Sequence, residues 1–267
     1  MSPKVVILGA RGSVPVSSEE FLCYGGATTC VLIQSADQTI ILDAGTGMLM
    51  LPTYLKPEDA DISLLLSHGH VDHLLGFSMC PSVFDSARSF HIYAAERSGS
   101  DGESYLQSLM SPPLWPIHPS QVGAKICFHP LAKDFQIGPI QVDSMEGIHP
   151  GGVSLFRLTI DGRRIVFITD CTLTDSLFPR AAEFAQNCDL LLCDGQYSEK
   201  EWQSHSSFGH NTWTTAARLG AACDAKQVRI IHHDPFHTDW DLDAASAMIK
   251  TIHPRCTFAR AGEEIIL

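Results

Sequence analysis

Hydrophobic positions along the chain gather in short, frequent runs bounded by Gly, Asp and Pro. Runs of this length built from Val, Ile and Leu fit buried strands, because a buried helix is normally ten or more residues long. They predict strands at residues 5–9, 30–34, 39–43, 62–67, 90–95, 125–129, 140–144, 154–160, 164–169, 190–194 and 228–232. Asp161-Gly162 lies between two such runs, and Asp-Gly is a two-residue hairpin signal. Helices are predicted at 72–85, 102–110, 176–186, 212–223 and 241–253, the last opening on aspartates suited to capping. Strands first, then strands alternating with helices, describe an α/β chain of two packed β-sheets with helices outside. Residues 1–267 carry no linker or repeat and read as one domain. The Ser-, Gly- and Pro-rich stretch around 98–120 reads as an excursion that forms a rim or lid over a site.

Directly after the run at 62–67 comes His68-Gly69-His70-Val71-Asp72-His73. Imidazole and carboxylate are donors that zinc, manganese and iron favour. His68 and His70 alternate along an extended backbone and so point the same way. Asp72 and His73 fall at the turn into the next element, where they can face a second metal. Other apolar runs also end in donors: His149 before the turn Pro150-Gly151-Gly152, Asp170 after 164–169, and His232 and His233 after 228–231. A single His at a strand end is more often structural than a ligand. Jointly these positions point to a metal site, because strand ends on one sheet edge converge in space.

Composition narrows the function. The formal charge of −12, from 18 Lys+Arg against 30 Asp+Glu, works against an extended nucleic-acid footprint. Two bound divalent metals would still place about four positive charges at one spot. Charge therefore favours a small substrate, or a short contact with a larger one. No stretch has the roughly eighteen apolar residues of a membrane span. Nine scattered cysteines without a C-x-x-C pair, and an N-terminus without signal-peptide features, read as reduced thiols in a cytoplasmic protein.

With those residues in place, the chain resembles the metallo-β-lactamase superfamily, whose signature is H-x-H-x-D-H followed by a later His, Asp and His. The likeness runs from Leu8-Gly9-Ala10-Arg11-Gly12-Ser13 and Leu42-Asp43-Ala44-Gly45-Thr46-Gly47 through to Ile231-His232. It implies an αββα sandwich with two divalent metal ions at one edge, zinc first, manganese or iron as alternatives. By position it puts His68, His70 and His149 on one ion and Asp72, His73 and His232 on the other, with Asp170 bridging. His233 competes with His232 for the last place. His232 is preferred because His233-Asp234-Pro235 reads as the turn leaving the strand. Relatives that form dimers make a homodimer a further expectation.

Two segments resemble the ribonuclease Z-like, phosphodiesterase branch. Gly209-His210-Asn211-Thr212 resembles its G-H-S-T segment, whose histidine works on the phosphate or the leaving oxygen, and Leu192-Cys193-Asp194-Gly195 resembles its H-E-A-T segment. Cys193 in place of His, Asp194 in place of Glu and Asn211 in place of Ser depart from the pattern. The chemistry is sound independently: phosphodiester cleavage needs a metal-activated water and, opposite it, a proton donor for the leaving alkoxide. His210 fits that donor, with Asp194 holding its ring, and Asp72 joins them in the catalytic set. The plainer reading is that His210 caps or packs under the helix near Thr212.

In ribonuclease Z a long arm that grips transfer RNA lies between the third His and the bridging Asp. Here that interval is 21 residues, room for two strands and a turn. The expected substrate is therefore a small phosphodiester, a cyclic nucleotide or short nucleic-acid end. A thioester or lactone hydrolase on the same metals is the first alternative, and an RNA 3′-processing endonuclease the second. A non-catalytic sensor is disfavoured by retention of every donor type. His237, Asp239, His118, Trp202 and Trp213 carry less weight, each having a solvated or packed reading at least as good.

Overall fold

The computed structural model describes residues 2–35 and 37–267; Met1 and Ala36, which the one-domain reading spans, lie outside them. In chain order the strands are β1 (Lys4–Gly9), β2 (Cys30–Ser35), β3 (Gln38–Leu42), β4 (Asp61–Leu65), β5 (Ser89–Ala94), β6 (Lys125–Pro130) and β7 (Asp134–Ile137). They continue as β8 (Ile140–Gly147), β9 (Val153–Ile160), β10 (Arg163–Ile168), β11 (Leu190–Asp194), β12 (Val228–Ile231), β13 (Cys256–Phe258) and β14 (Glu263–Ile266). The α-helices are α1 (Gly102–Leu109), α2 (Phe178–Phe184), α3 (Glu199–His205), α4 (Trp213–Ala222) and α5 (Asp239–Ile252).

Two seven-stranded mixed sheets result, in the orders β14-β1-β2-β3-β4-β5-β6 and β13-β12-β11-β10-β9-β8-β7. Strands β3 to β6 run parallel to their neighbours, as do β10 to β13, and the other pairs are antiparallel. Alternate residues of each strand feed different cores, which is why the strands read as continuous apolar runs. Val5 and Ile7 join Phe156 and Phe167 between the sheets. Val6 and Leu8 join Met48, Phe77 and Leu106 on the outer face of the first sheet. Val166 and Ile168 join Leu219 and Ile249 under the helices of the second. Four layers are the outcome, as the sequence pattern predicts.

Asp161 and Gly162 close the β9–β10 hairpin with φ +49° and +76°, the left-handed pair that a two-residue turn requires. The expected helix at 72–85 does not form. Three 3₁₀ turns, Val71–His73, Leu75–Met79 and Pro81–Phe84, stand in its place. The backbone groups an α-helix would use are already committed: His73 C=O accepts from Ala44 N–H at 2.7 Å, and Gly76 N–H donates to Ala44 C=O at 2.9 Å. A Cβ on Gly76 would overlap the Gly45 carbonyl, so this close strand-end contact needs the glycine. The 98–120 stretch is the crossover from β5 to the parallel β6. Leu106 and Met110 of that stretch are buried in the outer core, and only its first residues reach the site.

What positions the site is polarity of strand direction. The C-terminal ends of β3 and β4 lie side by side in one sheet, and those of β10, β11 and β12 in the other. Each of these strands is followed by, or ends in, a polar residue: Asp43, Ser67 to His73, Asp170, Asp194 and His232.

Candidate metal centre

The segment after β4 carries His68 and His70 to one side and turns at Val71–His73 to bring Asp72 and His73 to the other. His149 arrives on the turn between β8 and β9, fixed by a Gly152 N–H bond to its own carbonyl at 2.8 Å. Asp170 and His232 follow β10 and β12 with φ +38° and +61°, and Asp43 follows β3 with φ +57°. Left-handed backbone is costly for non-glycine residues and concentrates at functional sites.

Three groups of convergent donors follow: His68, His70, His149 and Asp170 form one, Asp72, His73, Asp170 and His232 a second, and Asp194, His210 and His232 a third. Asp170 belongs to the first two, and His232 links the second to the third. Its Oδ2 lies 3.7 Å from His68 Nε2, 3.8 Å from His149 Nε2, and 3.2 Å from both His73 Nε2 and His232 Nε2. Asp72 Oδ2 lies 3.3 Å from His73 Nε2 and 3.2 Å from His232 Nε2. His149 Nε2 faces His70 Nδ1 at 3.1 Å. Every residue expected in the metal set is thus brought together. His232 turns into the cluster, whereas His233 turns away, its Nε2 donating to Ala259 C=O at 2.9 Å and its ring edge-on to Tyr24.

The outer partners orient the rings, and sequence reasoning missed most of them. Asp43 Oδ2 accepts from His73 Nδ1 at 2.7 Å and from the Ser67 hydroxyl at 2.8 Å. That hydroxyl oxygen can then accept from His68 Nδ1 at 2.9 Å. Gly209 C=O accepts from His149 Nδ1 at 3.0 Å, and Gln196 Oε1 from His232 Nδ1 at 3.2 Å. The Gln196 amide is itself set by donation to Asp234 Oδ2 at 3.0 Å. In these four histidines Nδ1 carries a proton to its acceptor and Nε2 faces inward, the usual orientation around a bound cation. Asp43 carried the same signal as Asp170, a carboxylate ending a β-rich run.

The donor set fits a divalent cation. His68 Nε2 and His73 Nε2 are buried and without a hydrogen-bond partner among the described residues, an unfavourable state that coordination would relieve. Burial pushes the His68 ring well below its usual range, with the nearby His73 charge adding to the effect, and takes His149 down to about 4, so both are neutral donors. Burial opposes charge at His232 too, but Asp170, Asp72 and Asp194 outweigh it and push the ring up to about 9. Burial also works against ionised Asp72 and Asp170, yet the imidazoles around them hold both well below the carboxylate range. The carboxylate end of the cluster therefore demands positive charge, which protons or metal ions can supply.

Beside the metal donors, His210 Nδ1 meets Asp194 Oδ2 at 3.0 Å. Asp194 is fully buried, and its other oxygen accepts Gln196 N–H at 3.0 Å. The His210 ring stacks on His232 at 4.8 Å with a 15° tilt and lies 5.2 Å from His149. Capping of α4 falls to Thr212, whose side chain accepts Thr215 N–H at 3.2 Å, so His210 is not its cap. Asn211 ties the His210 loop to the loop after Asp170, accepting from Leu173 N–H at 2.9 Å and donating to Cys171 C=O. Cys193 points the other way, into the core under the helices. His118 and Trp213 lie on other grooves, and His237 pairs with Glu201 at 2.9 Å.

A family model described as the beta-lactamase superfamily domain matches residues 38–233. The chain belongs to this superfamily. Its likeness to the metallo-β-lactamase fold covers both sheets: the crystal structure of YhfI from Bacillus subtilis superposes with a TM-score of 0.76 at 22% identity, over 99% of each chain. In sequence the chain is 25% identical to that protein, described as a probable metallo-hydrolase, over 235 residues and 86% of each chain. It is 20% identical to the ribonuclease Z of Natronomonas pharaonis over 281 residues, 87% of each. A diphosphatase from the PhnP family shares the fold with a TM-score of 0.71 at 15% identity, over 99% of this chain and 98% of that one. Together with the His/Asp clusters able to bind metal, membership makes the chain a metallo-hydrolase of the superfamily. Among the described residues no helix is long and apolar enough to cross a membrane.

Proposed function

We propose that the protein is a phosphodiesterase acting on a small phosphodiester, with the whole chain as one catalytic domain. His68, His70 and His149 would hold one divalent ion, Asp72, His73 and His232 a second, zinc foremost, and Asp170 would bridge them. When bound, the ions would supply an activated water and positive charge against the phosphoryl oxygens. The remaining work belongs to the chain.

The observation that carries the reading is the buried Asp194–His210 pair stacked against the proposed ligand His232. Asp194 occupies Nδ1, so the proton His210 can deliver is on Nε2. A leaving alkoxide needs such a proton, and a positioned imidazole is worth about 10²- to 10⁴-fold there. A fully buried carboxylate would be costly without this partner, so the pair holds the ring in one orientation. Thioester cleavage on the same ions expels a weakly basic thiolate and would not need it. The PhnP-family and ribonuclease Z relatives support the same branch. The 21 residues from His149 to Asp170 form β9, β10 and their tight turn, which leaves no arm for a folded RNA and favours a small substrate.

The test is a panel of metal-reconstituted protein on bis-p-nitrophenyl phosphate, a cyclic nucleotide, a thioester and a lactone. Phosphodiester turnover that disappears with chelator and returns with Zn²⁺ or Mn²⁺ is expected. Faster turnover of the thioester or lactone would give the site to those substrates instead.

A further inference from the structure

A cavity of about 200 Å³ opens beside His68 and His70. Its other walls come from the start of the β5–α1 crossover and from the turn after His149. Tyr105 of α1 lies against Gly69: a Cβ there would come within 2.7 Å of two ring carbons, so glycine between the first two histidines lets the ring reach the metal donors. The hydroxyls of Ser98, Ser100 and Tyr105 have no hydrogen-bond partner among the described residues, and all three residues line the cavity.

Arg97 is the one Lys or Arg on this wall. Both carboxylate oxygens of Glu146 hold it, with Nη2 2.9 Å from Oε2, and Nη2 also donates to Ser154 Oγ at 2.7 Å. Its charge is thereby matched, and what it offers the cavity is N–H donors rather than a net positive field. A second phosphate would gain little from such a wall. An apolar group would exclude water from three hydroxyls and leave them without partners, which is unfavourable. A neutral group bearing hydroxyls, which both donate and accept, satisfies all of them. An apolar cavity of about 150 Å³ takes one benzene ring, so about 200 Å³ has room for one ring and not for a whole nucleoside.

The geometry points to a subsite here for a neutral, hydroxyl-bearing ring, of the sugar class, attached to the scissile phosphate, with Tyr105 and Ser100 as its specificity-determining contacts. This rests on the phosphodiesterase reading above and names which phosphodiesters the site selects.

Three esters with one leaving group test it on metal-loaded, full-length protein: ribose 5-(p-nitrophenyl phosphate), methyl p-nitrophenyl phosphate, and a p-nitrophenyl phosphate carrying a phosphopropyl group. The ribose ester is expected to exceed the methyl ester about tenfold or more in kcat/KM, chiefly through KM. In the Tyr105→Phe/Ser100→Ala variant, which keeps the ring on Gly69, that ratio should fall at least fivefold. An unchanged ratio in the variant, or a wild-type preference for the phosphopropyl ester, would overturn the subsite while leaving phosphodiesterase activity intact. No turnover of any of the three would overturn the phosphodiesterase reading, and the subsite with it.

Discussion

Nδ1 of His73 lies 2.7 Å from Oδ2 of Asp43, the oxygen that also accepts the Ser67 hydroxyl and, through it, orients His68. One buried carboxylate therefore sets two rings that belong to different donor groups. Asp43→Ala is expected to weaken metal binding about 10- to 100-fold, the usual effect of removing such an outer partner. Competition with a chromophoric chelator measures it. Affinity equal to wild type would remove Asp43 from the account.

Gln196→Ala should act more weakly and at one end only, because it frees His232 while leaving the His68, His70 and His149 group intact. Metal titration should then show one tight site retained and one loosened. Equal loosening of both would contradict two separable donor groups.

Gly12 is a sharper probe of the same ring. A Cβ at this position would overlap the His232 imidazole, although Gly12 has no unusual backbone angle. Gly12→Ala should displace His232, lowering turnover about tenfold or more while the fold persists. A shift near one ångström at a catalytic group costs on the order of a hundredfold. Full activity in this variant would show that His232 tolerates movement.

His233 makes the opposite kind of prediction. Burial, reinforced by the charge of Arg11, takes its pKa down to about 3. Unfolded, the ring protonates near pH 6.5, so between roughly pH 6.5 and 3 the unfolded chain binds a proton that the folded chain refuses. Stability rises with pH through that window and falls as pH drops. His149, at about 4, acts in the same direction. His232, near 9, is charged in both states below about pH 6.5 and adds no slope there. Denaturant midpoints of metal-free protein at about pH 5 and 7 should differ less in His233→Gln than in wild type, with metal stoichiometry retained. An unaltered pH dependence would contradict the burial argument.

The layered fold and the seven converging donors were legible because apolar period and donor type survive in a linear string. Leu190–Asp194 and the Asp161-Gly162 turn could be placed from local chemistry alone. The region from Asp72 to Asp85 could not, because its helix is cancelled by Ala44, a residue distant in sequence whose backbone claims the His73 carbonyl and the Gly76 amide. Strands β7, β13 and β14 escaped for a related reason: they are short, of three or four residues, and complete sheet edges set by their neighbours. Ser67 and Gln196 act through one hydrogen bond each to a ring, and common polar residues carry no spacing signal for such a role.

The central claim is that His210, held by Asp194, delivers the proton to the leaving oxygen of a phosphodiester. A pair of phosphodiesters differing only in leaving group, one a p-nitrophenol and one a simple alcohol, tests it most directly in His210→Ala. The account predicts a loss of about a hundredfold or more on the alkyl ester and a much smaller loss on the p-nitrophenyl ester, with metal content unchanged. Equal losses on both esters, or none on either, would contradict it.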